Sequence, residues 1–72
     1  MSKTETAILR LFRSYLARPS EMLFLNSGLA KSHPREFTQA LHALIERKFV
    51  IKERPRDAYS LTEQGYAASL SA

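Results

Sequence analysis

Residues 34–61, PREFTQALHALIERKFVIKERPRDAYSL, decide the fold, because the hydrophobic period changes inside them. From Pro34 to about Lys48 the apolar residues Phe37, Leu41, Leu44 and Ile45 recur at helical spacing, with Ala40 on the flank. Pro34 suits the first helical position, where its missing N–H costs nothing, with Ser32 or His33 as the cap. At about 100° per residue, Arg35, Gln39 and His42 fall opposite the apolar stripe and Thr38 borders them. Phe49, Val50 and Ile51 then form a β-branched and aromatic run, followed by Lys52-Glu53-Arg54. Pro55-Arg56-Asp57 is a turn signal, and Ala58-Tyr59-Ser60-Leu61 alternates with Tyr59 and Leu61 on one face. The stretch predicts a helix running into a β-hairpin with a tight, basic tip.

Outward from this centre the chain reads as further short helices. Ser2 and Glu5 have the spacing of a capping box at the start of a helix over about Thr4–Ala17. Ile8, Leu11, Phe12, Tyr15 and Leu16 make its apolar face, Arg10, Arg13, Ser14 and Ala17 lie on the other side, and Pro19 ends it at Arg18. Ser20 can cap a second helix over Glu21–Ser27, whose Met22, Leu23, Phe24 and Leu25 are expected in the core. Gly28 suits the left-handed residue that stops such a helix, and Leu29 is expected to pack the following turn. Lys31, Ser32 and His33 form a polar connection. After the hairpin, Thr62 caps a last short helix carrying Tyr66, Ala67 and Leu70, which Gly65 weakens. The expectation is a single α+β domain over residues 1–72: three helices, a two-stranded hairpin and a short final helix.

Composition narrows the function. With 72 residues and no Cys, the chain has no disulfide framework and no thiolate metal site, so a small core must be built from regular elements. No apolar run approaches a membrane span, and the polar N-terminus has no signal-peptide core, so a cytoplasmic location is expected. The formal net charge is +4, and the excess is localised. Residues 31–56 hold Lys31, Arg35, Arg47, Lys48, Lys52, Arg54 and Arg56 against only Glu36, Glu46 and Glu53; elsewhere the signs balance. Such a patch suits a polyanion, or serves as a solvated face.

Helix, helix, helix, strand, basic turn, strand, helix is an order that resembles the winged helix-turn-helix DNA-binding domains, and in particular small bacterial regulators of the MarR type. Ala40–Val50 looks like that family's recognition helix entering its first wing strand, and Tyr59–Gly65 like its second wing strand turning into the next helix. The resemblance covers nearly the whole chain. It implies a transcription regulator, bacterial or from a phage, with residues 34–48 in the major groove and a wing over 52–58 on the backbone or in the minor groove.

The residue types fit such a use. A major groove about 12 Å wide accepts one α-helix. Arg35 can pair with guanine or grip a phosphate, and Gln39 can bridge the N6 and N7 atoms of adenine. Thr38 can touch a thymine methyl, and His42 can reach a base edge or the backbone. Ser32 and the amides at the helix start suit phosphate. Lys31, Lys48, Lys52, Arg54 and Arg56 are phosphate or wing contacts, which set register without reading sequence. Glu36 is an opposing charge on the same helix.

A module this small buries only about 600–1,000 Å² on DNA, so a homodimer through the first helix or through Tyr66–Leu70 is expected. Catalysis is not expected, nor is a cofactor or metal: His33 and His42 lack a third partner, and Gly28 and Gly65 stand alone. The alternative is a protein-interaction module, or an inhibitor that docks its basic face on a partner protein. RNA is a weaker option, because exposed stacking aromatics are not evident.

Overall fold

The computed structural model describes all residues, Met1–Ala72. The elements are α1 (Lys3–Ser14), β1 (Leu23–Phe24), α2 (Gly28–Ser32), α3 (Pro34–Glu46), β2 (Val50–Lys52), β3 (Ala58–Leu61) and α4 (Glu63–Ser71). The fold is a compact α+β arrangement in which four helices pack with one small antiparallel sheet of order β1-β3-β2. Ile8, Leu9, Phe12, Leu44, Val50 and Leu61 are sealed at its centre.

The local signals place several elements as expected. The Ser2 hydroxyl accepts from the Glu5 amide at 3.1 Å, and the Glu5 carboxylate accepts from the Ser2 amide at 3.2 Å, a closed capping box. The same Glu5 is buried and faces Arg47 Nε at 3.4 Å, tying the start of α1 to the end of α3. Pro34 opens α3, which buries Phe37, Ala40, Leu41 and Leu44. Its cap is His33, without a side-chain bond. The alternative cap, Ser32, instead donates its hydroxyl to Gly28 O at 2.7 Å. Lys48 closes α3 with φ 64°, while the Lys48 amide reaches Ile45 O and the Phe49 amide reaches Leu44 O, a Schellman end with lysine at the usual glycine position.

Two of the expected helices differ from the sequence reading. The second helix over Glu21–Ser27 does not form. Leu23 pairs with Tyr59 and Phe24 with Ala58, making a third strand at the edge of the hairpin. A short apolar run has no period of its own to separate strand from helix, and here its pairing with β3 decides. Phe24 therefore lies on the outer sheet face, 53% exposed, and Met22 is also exposed rather than core. Gly28 begins α2 instead of ending a helix, and it has no positive φ. Ser20, with φ 72°, caps nothing; its amide reaches Leu61 O at 3.0 Å.

The first helix also stops early, at Ser14 rather than Ala17. Leu16 adopts φ 56°, its amide bonds Arg13 O, and the Ala17 amide bonds Phe12 O, so a second Schellman end turns Ala17 into the core against Phe12. Pro19 is not what terminates α1. Tyr15 and Leu16, expected on the buried face, project outward, while Leu9 takes a core place that the helical pattern did not assign.

Gly65 reverses its expected meaning. A Cβ there would lie 1.9 Å from Phe49 O, so only glycine lets the first turn of α4 rest on the β2 approach. Thr62 locks the same corner: its hydroxyl donates to Lys48 O at 2.6 Å and accepts from the Gly65 amide at 3.0 Å. In an open helix, glycine to alanine would stabilise by about 0.5–1 kcal/mol. Here Gly65→Ala is expected to cost about 1–3 kcal/mol through overpacking, read as a lower midpoint in urea or heat. A rise in stability would show that the close approach is absent.

Candidate nucleic-acid interface

The outward face of α3 and the hairpin border one cleft of about 220 Å³. Thr38 and His42 line it from α3, Pro34 and Ala30 from the α2–α3 corner, and Asp57 and Tyr59 from the hairpin. Leu25, Phe37 and Leu41 also line it, supplying an apolar contribution from the core. Arg35 lies between Thr38 and Gln39 on the helix by its 100° phase, and all four candidate readers, Arg35, Thr38, Gln39 and His42, are exposed.

The candidates do not all share that cleft. Gln39 borders a different hollow, with Ser2, Thr4, Glu5 and Glu36, on the flank of α3 nearest α1. Glu36 is exposed there and its Oε1 lies 3.7 Å from His33 Nδ1. The face therefore grades from the hairpin side, with Thr38 and His42, to a flank carrying a carboxylate.

The hairpin is held by its own backbone and by one lysine. Ile51 pairs with Ser60 and Lys52 with Tyr59. The Glu53 amide reaches Ala58 O at 2.9 Å, and the Ala58 amide reaches Pro55 O at 3.1 Å to close the tip. Asp57 takes the left-handed conformation, φ 63°, which aspartate tolerates better than most residues. Its carbonyl accepts from the Leu25 amide at 2.8 Å, fastening the tip to the end of β1.

Lys52, expected as a phosphate contact, is exposed and also bonded within the hairpin. Its Nζ donates to Glu53 O at 2.7 Å and Pro55 O at 3.1 Å, and lies 5.2 Å from the centre of the Tyr59 ring. The ammonium braces the tip from within. Ser32 is likewise engaged, since its hydroxyl proton is given to Gly28 O. Arg47, counted in the basic stretch, is paired with Glu5. Lys31, Arg35, Lys48, Arg54 and Arg56 are exposed and form no ion pair.

Tyr59 was not singled out by the sequence as a site residue, yet it joins the hairpin to the cleft. Burial raises its phenol pKa above the ordinary value, and the nearby Asp57 carboxylate adds to the shift. The alternation that put Tyr59 with Leu61 was the available signal; its proximity to α3 was not. No group of three or more His, Asp or Glu side chains is arranged to hold a metal ion. In comparisons with known proteins, the chain matches no family model, and neither a curated protein nor a solved structure matches it.

Because Lys52 holds the tip, Lys52→Met is expected to lower stability by about 1 kcal/mol, from two partly solvated hydrogen bonds and a cation–π contact. Amide exchange at Glu53 and Ala58 should accelerate more than exchange within α1. Unchanged protection at those two amides would remove the bracing role.

Proposed function

We propose that the chain is a small winged-helix DNA-binding module acting as a transcription regulator, with α3 in the major groove and the 52–58 hairpin on the adjacent backbone or minor groove. The observation that carries this reading is the shared cleft: Thr38 and His42 of α3 border the same hollow as Asp57 and Tyr59 of the hairpin, so the helix face and the hairpin flank one surface, with Arg54 and Arg56 exposed in the hairpin segment just before Asp57. The element order and the β1-β3-β2 sheet support it, because β3 fastens the hairpin beside the helix on which the readers sit.

Arg35 is the base-reading candidate with both reach and freedom, since it is exposed and unpaired. Thr38 and His42 read the half-site on the hairpin side. Gln39 reads on the other flank, beside Glu36, where the carboxylate discourages phosphate and can accept from a cytosine amine. Arg54 and Arg56 supply the tip's phosphate contacts, and Lys31 those at the α2 corner. The Arg35 and Glu36 amides at the start of α3, uncapped by any side chain, suit one further phosphate oxygen.

One observation favours a second reading, a protein-interaction module. Asp57 and Glu36 place carboxylates on both flanks of the face, and a protein partner can complement mixed signs where a phosphate backbone cannot.

A fluorescent-duplex titration after selection from random sequence, repeated over a salt series, separates the two. On the DNA reading, Arg35→Ala costs about 1–3 kcal/mol and relaxes preference at one base position. Arg56→Ala weakens all duplexes alike and reduces the salt slope by about one phosphate contact. Absence of any duplex binding tighter than micromolar at low salt would overturn it.

A further inference from the structure

Leu16 is unfavourably placed twice over. It is 82% exposed, and it holds a left-handed backbone, φ 56°, at a helix end where glycine is the residue that fits without cost. Tyr15 beside it is 69% exposed and Leu70 of α4 is 49% exposed. Leu16 and Leu70 rim a groove of about 380 Å³ between the end of α1 and α4, sharing no lining residue with the α3–hairpin cleft. Tyr66 and Ala17 complete its apolar part.

The charged residues lining the groove are Arg13 and Arg18; no carboxylate lines it. Arg13 is held in place by a hydrogen bond from Nη1 to Leu70 O. Along α1 the exposed charges are Lys3, Arg10 and Arg13, because the one acidic residue of that helix, Glu5, is buried against Arg47. Glu21 is exposed, and its Oε1 accepts from the Arg18 amide at 2.7 Å.

Charge decides the occupant. A two-fold contact would bring this patch against itself, gathering four arginines into one interface with no carboxylate lining either groove. That opposes a homodimer seated on this groove, where the end of the first helix and Tyr66–Leu70, the two alternative dimer surfaces suggested by the sequence, lie side by side. We propose that the groove docks an acidic amphipathic helix of a partner protein, with an apolar side chain seated beside Leu16 and Leu70 and flanking carboxylates on Arg13 and Arg18. Helix-in-groove recognition supplies apolar anchors at i, i+3 and i+4, and the guanidiniums supply orientation. The inference is independent of DNA binding, since it uses neither α3 nor the hairpin.

Three synthetic helical peptides with one shared leucine stripe, flanked by Glu, Gln or Lys, test it by titration into the isotope-labelled full chain. The Glu peptide is expected to bind at least tenfold tighter than the Lys peptide, with amide shifts centred on Leu16, Ala17, Ser69 and Leu70. Arg18→Glu should cut that preference severalfold. Leu16→Gly is the sharper variant: relief of the left-handed strain should raise Tm by about 2–6 °C while peptide affinity falls severalfold. A merely structural Leu16 would leave the affinity unchanged. Equal affinity for the three peptides, shifts centred on α3 and the hairpin, or a sedimenting dimer dissolved by Leu16→Asp would each overturn the proposal.

Discussion

The double pairing of β3 is the constraint on which the rest of the structure depends. Tyr59 faces Leu23 across one ladder and Lys52 across the other, so a four-residue strand holds both edges of the sheet. Its neighbours in sequence divide the work. Leu61 is sealed in the core, while Ser60, also sealed, donates to Glu53 Oε2 at 2.5 Å and ties the outer sheet face to the hairpin. Without β1, the hairpin would keep its Val50 and Leu61 anchors in the core, but its tip would lose the strand that flanks it. With β1 in place, the Asp57 carbonyl is fastened to Leu25, and the tip has one position relative to α3. The candidate interface is therefore a consequence of sheet closure rather than of loop chemistry.

That closure also explains how much could be read from the residues alone. Interactions that close within a few positions were legible: the Ser2–Glu5 box, Pro34 at the head of α3, the Thr62 cap and the alternation of Ala58–Leu61. Met22–Leu25 was not, because its partner strand lies far along the chain and nothing within the run distinguishes a strand from a helix. The same distance hides Gly65, whose need for a bare Cα comes from the Phe49 carbonyl. At the candidate site, exposure was legible and commitment was not. Arg35, Arg54 and Arg56 stand free as read, but Lys52, Arg47 and Ser32 are held by groups that only the folded chain brings near.

Removing those committed groups changes what the charge excess means. A patch of seven cations suggests strong, indiscriminate attraction to a polyanion. Arg47 is paired and Lys52 is bonded to the hairpin's own carbonyls, leaving Lys31, Arg35, Lys48, Arg54 and Arg56 free against the exposed carboxylates of Glu36, Glu46 and Asp57. Each free cation contributes one phosphate contact at most, so the sequence-independent part of any duplex affinity is modest and its salt dependence shallower than seven cations would give. A face of mixed sign favours a partner whose donors and acceptors match it in position. The carboxylates weaken wrong registers as much as they weaken binding in general, which is how specificity is built when total affinity is small.

The backbone shows where stability has been given up for such purposes. Leu16, Ser20, Lys48 and Asp57 all have positive φ, and neither glycine does. A left-handed conformation costs a residue with a Cβ about 1–2 kcal/mol, less for aspartate. A domain of this length has only about 4–11 kcal/mol of net stability, so these positions together use a sizeable part of it. Their distribution is uneven. Lys48 and Asp57 stand at the start and the tip of the hairpin segment, and Leu16 stands at the rim of the α1–α4 groove. At Lys48 and Leu16 the geometry of the helix end calls for glycine, and a long side chain is kept in solvent instead. Such a substitution gains nothing for packing, since both side chains are exposed. What it does gain is a cation beside the hairpin and an apolar knob beside two arginines, so backbone strain and surface chemistry mark the same two places on the molecule.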